Sequence, residues 1–485
     1  MKKLIISILM ICFSTMYFSE SPKVSDNQTG KVAANESYNL EEKVLYSRVF
    51  ESVIWGMPAV NYEIMHQTFV KNVKGNDNQI LFWSKPSDWK NQYLTPNSEV
   101  LYFMPFFNTK NVGPVVIEIP KAEAENSIVG TIMDSWQVAL EDVGPAGADK
   151  GNGGKYLILP PDYKGEIPSG YIVLPSENYT GYALLRSMPK STNSKDIDVA
   201  LEYGKKIKIY PLSSVSNPPK TKFLDAKNTV MDGNIPYDER YFDLLNNVIQ
   251  TEPWLDRDKV MIEKLKTVGI KKGSPYKLTT DSRKLEIIRT AVKDAHTRID
   301  GEFDLVPPYF STGKWFLPID EEVVAGFTSN YSVKDSYPLD QRAFLFYWAF
   351  STIKHAGDSG QNQRYIFTTR DKSGVSLDGS ENYHLSVPAN VPAKQYWSVT
   401  LYNRETHSLI RNVSHNSLAS FNSKIKINED KTVDIYFGPK APRGKESNWV
   451  PTKAGEKFEV LFRFYGAEKA IFDKTWILPD VEKIN

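Results

Sequence analysis

A chain of 485 residues with one cysteine, Cys12, cannot close an internal disulfide, and catalytic thiol pairs, iron–sulfur clusters and cysteine-held zinc are excluded with it. Charge of one prevailing sign is also missing, since Lys plus Arg number 59 and Asp plus Glu 58. A protein that grips nucleic acid by neutralising phosphates is markedly basic, so the balance argues against that class. Long hydrophobic runs are scarce. The run Leu4–Phe13 follows Lys2 and Lys3 and leads into small and polar residues, the layout of a secretory signal and too short to span a bilayer. Residues 1–21 are read as that signal and 22–37 as a loose polar leader, with a periplasmic or secreted destination. Loss of Lys2, Lys3 and Glu20 takes 59 basic residues to 57 and 58 acidic residues to 57, leaving a neutral, cysteine-free chain held together by its cores. No later segment approaches the roughly 18 uninterrupted apolar residues of a membrane-spanning helix.

What is present is an ordinary globular composition, 41% hydrophobic and 24% charged, at a length that predicts two or three packed units. Leu40, Val44, Val49 and Val53 predict an amphipathic helix; Gly56 is read as its end and Pro58 as the start of a second, reaching about Lys71. The period then changes. Ser98–Phe107, Pro114–Ile119, Ser127–Met133, Lys155–Leu159, Tyr171–Leu174 and Tyr179–Met188 are strand-like segments between turn residues. A polar stretch around 188–217 is read as a domain exit. Beyond it, Leu285, Ile288, Val292, Ala295 and Ile299 fall on one helical face within Ser282–Asp300. Pro338–Ala356 predicts a helix that is apolar nearly all round, through Phe344, Phe346, Tyr347, Trp348 and Phe350, and is therefore buried. Strand period returns in the last 120 or so residues: Phe458, Val460, Phe462 and Phe464 alternate with Glu459, Leu461, Arg463 and Tyr465, while Val433, Ile435 and Phe437 form a similar face. The expected fold is α+β, mostly β: helices plus a β-sandwich over 38–190, a linker and helical region over 191–360, and a second β-sandwich over 361–485.

The order of these pieces, and several short motifs, resemble the exported bacterial proteins that pair the domain of unknown function 1254 with the domain of unknown function 1214. The N-terminal likeness rests on Thr95-Pro96-Asn97-Ser98-Glu99-Val100-Leu101-Tyr102, Asp134, the Gly144–Gly154 segment before Tyr156-Leu157-Ile158-Leu159-Pro160-Pro161, and Leu184-Leu185-Arg186. At Ser98-Glu99 the chain departs from the Asp-Thr that family members often carry. The C-terminal likeness rests on Leu377-Asp378-Gly379, Tyr396–Tyr402, Asp434-Ile435-Tyr436, Asn448-Trp449-Val450-Pro451, Arg463-Phe464-Tyr465, Trp476 and Pro479. The resemblance implies two sandwich-type domains joined by helices and implies no reaction.

Several constellations invite a chemical reading. Gly357-Asp358-Ser359-Gly360 has the look of a serine-protease nucleophile loop, yet it follows a predicted helix and no histidine stands in a matching context, so a helix cap is the better reading. The glycines of 144–154 lead into a strand, unlike a phosphate cradle, which opens a helix. Glu63 and His66 share metal-ligand spacing without a second such pair, and His384, His407 and His415 could converge only through the fold; no metal site is assigned and the cofactor is left unknown. Arg186 and Arg463 stand out because each lies within apolar strand sequence, where a guanidinium needs a carboxylate or a bound anion. Asp134, Glu141 or Asp142 are read as partners for Arg186 and Asp434 for Arg463. The alternative is a cleft for a small or oligomeric organic ligand, with Arg186, Asn97 and Arg463 as polar contacts and Trp397, Tyr402, Trp449 and Tyr465 as stacking faces. Asn448 is equally suited to a turn. A second function class is a hydrolase or lyase with Asp134 or Glu99 as base and an arginine as stabiliser. A third is a structural or assembly role, with the aromatics spent in cores and homo-oligomer contacts.

Overall fold

The computed structural model describes residues 38–123, 126–355 and 363–484. The expected signal and leader with Cys12, and the Gly357-Asp358-Ser359-Gly360 tetrapeptide, lie outside the described residues.

Helix α1 (Leu40–Val73) runs unbroken through Gly56 and Pro58, where the sequence predicts two helices. A proline inside a helix typically costs about 3 kcal/mol, through a lost N–H and a ring clash one turn back. Tertiary donors reach the carbonyls on either side of Ile54, the residue one turn back from Pro58. The Val53 carbonyl accepts from the Tyr241 hydroxyl at 2.7 Å, and the Trp55 carbonyl accepts from the Arg342 guanidinium at 2.7 Å. Gly56 serves close packing instead of termination: a Cβ there would stand 3.0 Å from Leu245 of helix α2 (Arg240–Thr251).

The first sandwich is built from strands β1 (Gln79–Phe82), β2 (Asn91–Gln92), β3 (Leu101–Asn108), β4 (Val115–Ile119), β5 (Ile128–Asp134) and β6 (Ala139–Val143). To these it adds β7 (Gly154–Leu159), β8 (Ile172–Pro175), β9 (Thr180–Ser187), β10 (Lys208–Pro211), β11 (Phe223–Asp225) and β12 (Met231–Asp232). One sheet has the order β11-β1-β3-β9-β5-β6 and the facing sheet β10-β4-β7-β8, while β2 pairs with β12. Leu101, Phe103, Ala183 and Leu185 from the first sheet meet Ile117, Tyr156 and Ile158 from the second in one core. The sheets draw on strands beyond residue 190, because β10 pairs with β4 and β11 with β1. Those strands are two to four residues long, too short to carry a visible period.

A helical layer follows. Helix α3 (Ser282–Leu305) buries Ile288, Val292, Ala295 and Ile299, as their spacing predicts, and leaves Leu285 of the same stripe half-buried. Helix α4 (Leu339–Trp348) is buried from Arg342 to Trp348 and stops eight residues short of the predicted end. The chain turns extended at Ala349, and the buried Asn61 side chain of α1 donates to the carbonyls of Phe346 at 2.9 Å and Ala349 at 2.8 Å. A neighbouring helix thus satisfies carbonyls that a further helical turn would have paired.

The second sandwich contains β13 (Gln363–Thr368), β14 (Asn382–Val387), β15 (Ala393–Asn403), β16 (Ser417–Ala419), β17 (Val433–Gly438), β18 (Trp449–Pro451), β19 (Phe458–Ala467) and β20 (Glu482–Ile484). Its sheets run β13-β19-β15-β16 and β18-β17-β14-β20. Phe458, Val460, Phe462 and Phe464 enter the core between them, with Val433, Ile435 and Phe437 opposite. The alternate residues Glu459, Leu461, Arg463 and Tyr465 are buried as well, so this sheet is covered on both faces.

Replacing Asn61 with Leu is expected to lower unfolding free energy by about 1–3 kcal/mol, the cost of stranding buried carbonyls. Denaturant midpoints of the two proteins check this, and an unchanged midpoint would contradict the capping role.

Candidate functional site

The alternation of β15 and β19 sends their apolar residues inward and leaves Tyr396, Ser398, Thr400, Tyr402, Arg463 and Tyr465 on the outer face. The segment Thr95–Glu99, which leads into β3, lies against that polar face. Arg463 donates to Thr400 Oγ1 at 2.8 Å, to the Thr95 carbonyl at 3.0 Å, and to the Tyr402 hydroxyl. The Tyr402 hydroxyl donates in turn to the Pro96 carbonyl at 2.6 Å. Asn97 donates from its side chain to the hydroxyls of Tyr465 and Tyr396, and from its backbone to the Tyr102 hydroxyl at 2.8 Å. Thr95 holds a left-handed backbone at φ +38°, rare for a β-branched residue. It is fixed there by donating to the His407 carbonyl at 2.7 Å and the Trp348 carbonyl at 3.0 Å.

Arg186, opposite Tyr102 in the β3–β9 ladder, sends its guanidinium over the Tyr102 ring at 5.7 Å from the centroid. Its Nε is buried without a hydrogen-bond partner. Burial raises the Glu99 carboxyl above its ordinary value, against the lowering pull of Ser417, Arg463 and Ser398. Glu99 borders a small pocket of about 160 Å³ with Ser191, Ser417 and Phe421. Asn97, Glu99, Arg186, Tyr402, Arg463 and Tyr465 therefore gather in one region, and among the described residues neither arginine has a carboxylate in salt-bridge contact. Their environment is hydroxyl and carbonyl oxygen.

A more open pocket, about 460 Å³, lies between α3, α4 and the loops at one end of the second sandwich. His296 and Asp300 face it from α3, Tyr347 from α4, Asn403 and Arg404 from the end of β15, and Arg370 from the loop after β13. Asp300 Oδ1 accepts from Tyr347 at 2.9 Å and from Arg404 at 2.6 Å. Burial pushes the Tyr347 hydroxyl well above its ordinary value, with Tyr237 and Asp300 adding to the rise, so it stays a donor. Because its proton goes to Asp300, its oxygen accepts from His296 Nε2 at 3.1 Å. Tyr237 stacks on His296 with ring centroids 4.0 Å apart. Burial pushes His296 down to about 4, so the imidazole is neutral near pH 7 and its Nδ1 is an acceptor. Behind the pocket, His407 Nδ1 and Glu459 Oε1 form a buried pair at 2.9 Å.

Comparison with known proteins now gives these regions their names. Residues 78–211 match the model for the protein of unknown function DUF1254, and residues 362–469 match that for DUF1214. The chain pairs a DUF1254 domain with a DUF1214 domain, in that order. A crystal structure of the VPA0106 protein from Vibrio parahaemolyticus superposes with a TM-score of 0.54 at 18% identity, covering 91% of this chain and 100% of that one, a likeness of fold. An uncharacterized protein from Burkholderia cenocepacia aligns over 91% of this chain and 94% of its own at 11% identity and a TM-score of 0.40. The search of curated proteins returned no match.

The remaining residues singled out in the sequence sit elsewhere. In the DUF1214 domain, Trp397 lies on the core side of β15, stacked on Phe462 at 5.4 Å, and faces away from Arg463. Trp449 bonds the Gly438 carbonyl at 2.9 Å, and Asn448 ties Lys426 to Asp434 as a turn residue. Asp434 is held by His384 at 2.8 Å and by Asn428, so it is no partner for Arg463. In the DUF1254 domain, Asp134 accepts from the backbone of Trp136 and Val138 and from Asn178. It pairs with Gly181 at the far end of β9 from Arg186, about 16 Å along the strand. Asp142 caps the backbone of Lys354 and His355, and Glu141 meets His355 at 2.8 Å, so neither serves Arg186. The loop glycines wrap Asp149, which accepts from Gly151 and Tyr156. His384, His407 and His415 each have separate partners, and among the described residues no group of three or more metal-ligating side chains forms.

Burial lifts Asp134 to about 7 despite its donors. An acid raised on folding binds its proton more readily in the native state, so its contribution to stability is complete below about 4 and is lost as pH rises through about 7. Asp134→Asn, which keeps a carbonyl acceptor, is expected to gain on the parent protein in unfolding free energy from pH 4 to pH 8. Parallel pH profiles would contradict this.

Proposed function

We propose that this DUF1254–DUF1214 protein binds a small polar organic molecule in the pocket between α3, α4 and the DUF1214 domain. The observation that carries this reading is the fixed chain His296–Tyr347–Asp300–Arg404 at the wall of an accessible cavity. A neutral imidazole acceptor, a carboxylate and a guanidinium are held there by one another before any ligand arrives. Preorganised polar groups beside aromatic faces are the usual make-up of a small-molecule site, and about 460 Å³ falls within the usual size range. The Asn97, Arg186, Tyr402, Arg463 and Tyr465 cluster is proposed as the clasp that holds the two sandwiches in register. Leu4–Phe13 behind Lys2 and Lys3 supports placing the protein in the periplasm or outside the cell.

A second reading, acid–base catalysis, is favoured by one detail at the clasp. Glu99 combines a raised carboxyl value with a place on the rim of the small pocket and an arginine in range.

Mass spectrometry of small molecules that co-purify with protein from its native host tests the binding reading. The parent protein is expected to carry a compound that Arg404→Met loses by at least tenfold. A compound retained equally by the variant, or none in either, would overturn it.

A further inference from the structure

We infer that the pocket at His296, Asp300 and Arg404 selects a neutral polyhydroxylated molecule, a saccharide of roughly one or two rings, an inference that rests on the binding reading above. The argument begins with charge. Arg370, Arg404 and Lys457 contribute three positive charges to the lining, against four negative charges from Asp300, Asp304, Glu405 and Glu456, while His296 is neutral. Both arginines are already matched within the wall, Arg404 with Asp300 at 2.6 Å and Arg370 with Asp304 at 2.6 Å. An anionic ligand would have to compete with those carboxylates for the two guanidinium groups, which leaves Lys457 as its one cation without a salt-bridge partner among the described residues.

Hydrogen-bonding valence points the same way. Asp300 spends Oδ1 on Tyr347 and Arg404, and Asp304 spends Oδ1 on Arg370, which leaves Oδ2 of each without a hydrogen bond among the described residues. The pocket therefore offers carboxylate acceptors side by side with guanidinium donors, and with the Nδ1 acceptor of His296. A hydroxyl is at once a donor and an acceptor. Two hydroxyls on adjacent carbons can donate to a carboxylate and accept from the neighbouring guanidinium without disturbing the ion pair. Charge-assisted bonds of this kind are the strong ones. Tyr347, Leu377 and Phe458 back the pocket as buried side chains and expose almost no apolar surface to it, so recognition there rests on the polar groups.

The test is calorimetric titration of the intact protein with glucose, galactose, maltose and cellobiose, and with citrate and spermidine as charged probes of comparable size. Asp300→Asn and Arg404→Met are run beside the parent, each checked for an unchanged circular dichroism spectrum. The inference expects a neutral sugar to bind and both variants to weaken it at least tenfold. Binding of citrate or spermidine with the same sensitivity to the variants, and of no sugar, would overturn the saccharide assignment and leave the pocket standing as a site. Sugar binding that ignores both variants would also overturn it, by placing the sugar elsewhere. If no probe binds, the saccharide assignment and the binding reading fall together.

Discussion

The architecture turns on one buried guanidinium. Arg463 projects from the middle of an apolar strand, and its partners are Thr400 and Tyr402 on its own sheet and the Thr95 carbonyl from the other sandwich. A buried guanidinium without bonds of this kind would be prohibitively costly, so its position fixes where Thr95 must lie. Thr95 in turn holds the carbonyls of Trp348 and His407, which ties the end of the buried helix α4 and the β15 turn to the same point. Neutral oxygens in place of a carboxylate keep the bonding directional, and direction is what registers one sheet against another.

That register also builds the pocket wall. His407 follows Arg404 by three residues in the turn after β15, and its ring meets Tyr347 of α4 at 4.5 Å and Phe303 of α3 at 5.2 Å. Arg404 lies over the Phe303 ring at 4.5 Å. Burial would lower Arg404, yet the nearby Glu459 and Asp300 carboxylates hold it above its ordinary value. The open pocket is thus one end of a polar seam that begins at the Arg463 cluster. Displacing α4 by a helical turn would separate Tyr347 from Asp300 and dissolve the arrangement.

Where a period was strong, the sequence was readable. The alternation in Phe458–Tyr465 identified the core face of β19 residue by residue, and the apolar stripe of α3 was likewise legible. The motif Thr95–Tyr102, which carries the family likeness, proved to be the segment that lies on Arg463. Asn97, Arg186, Tyr402, Arg463 and Tyr465 came together although they are spread over nearly 370 positions of chain, because polar residues inside apolar strands have few places to go. Other readings failed for physical reasons. Pro58 does not end α1, whose neighbouring turn is braced by donors from Tyr241 and Arg342 to the Val53 and Trp55 carbonyls that no local pattern reveals. Trp397 had the right chemistry on the wrong face of its strand. The 460 Å³ pocket was invisible because its residues come from five separate stretches of chain. Its only local trace was His296 and Asp300, one helical turn apart beside the stripe of α3.

Calorimetric unfolding of Arg463→Met probes the clasp most directly. With the guanidinium gone, the two sandwiches lose the bond to the Thr95 carbonyl around which the Asn97–Tyr465 and Tyr402–Pro96 contacts are set, and the account predicts that a single cooperative transition of the parent protein separates into two, the first below the parental midpoint. One undivided transition at the parental temperature would contradict it.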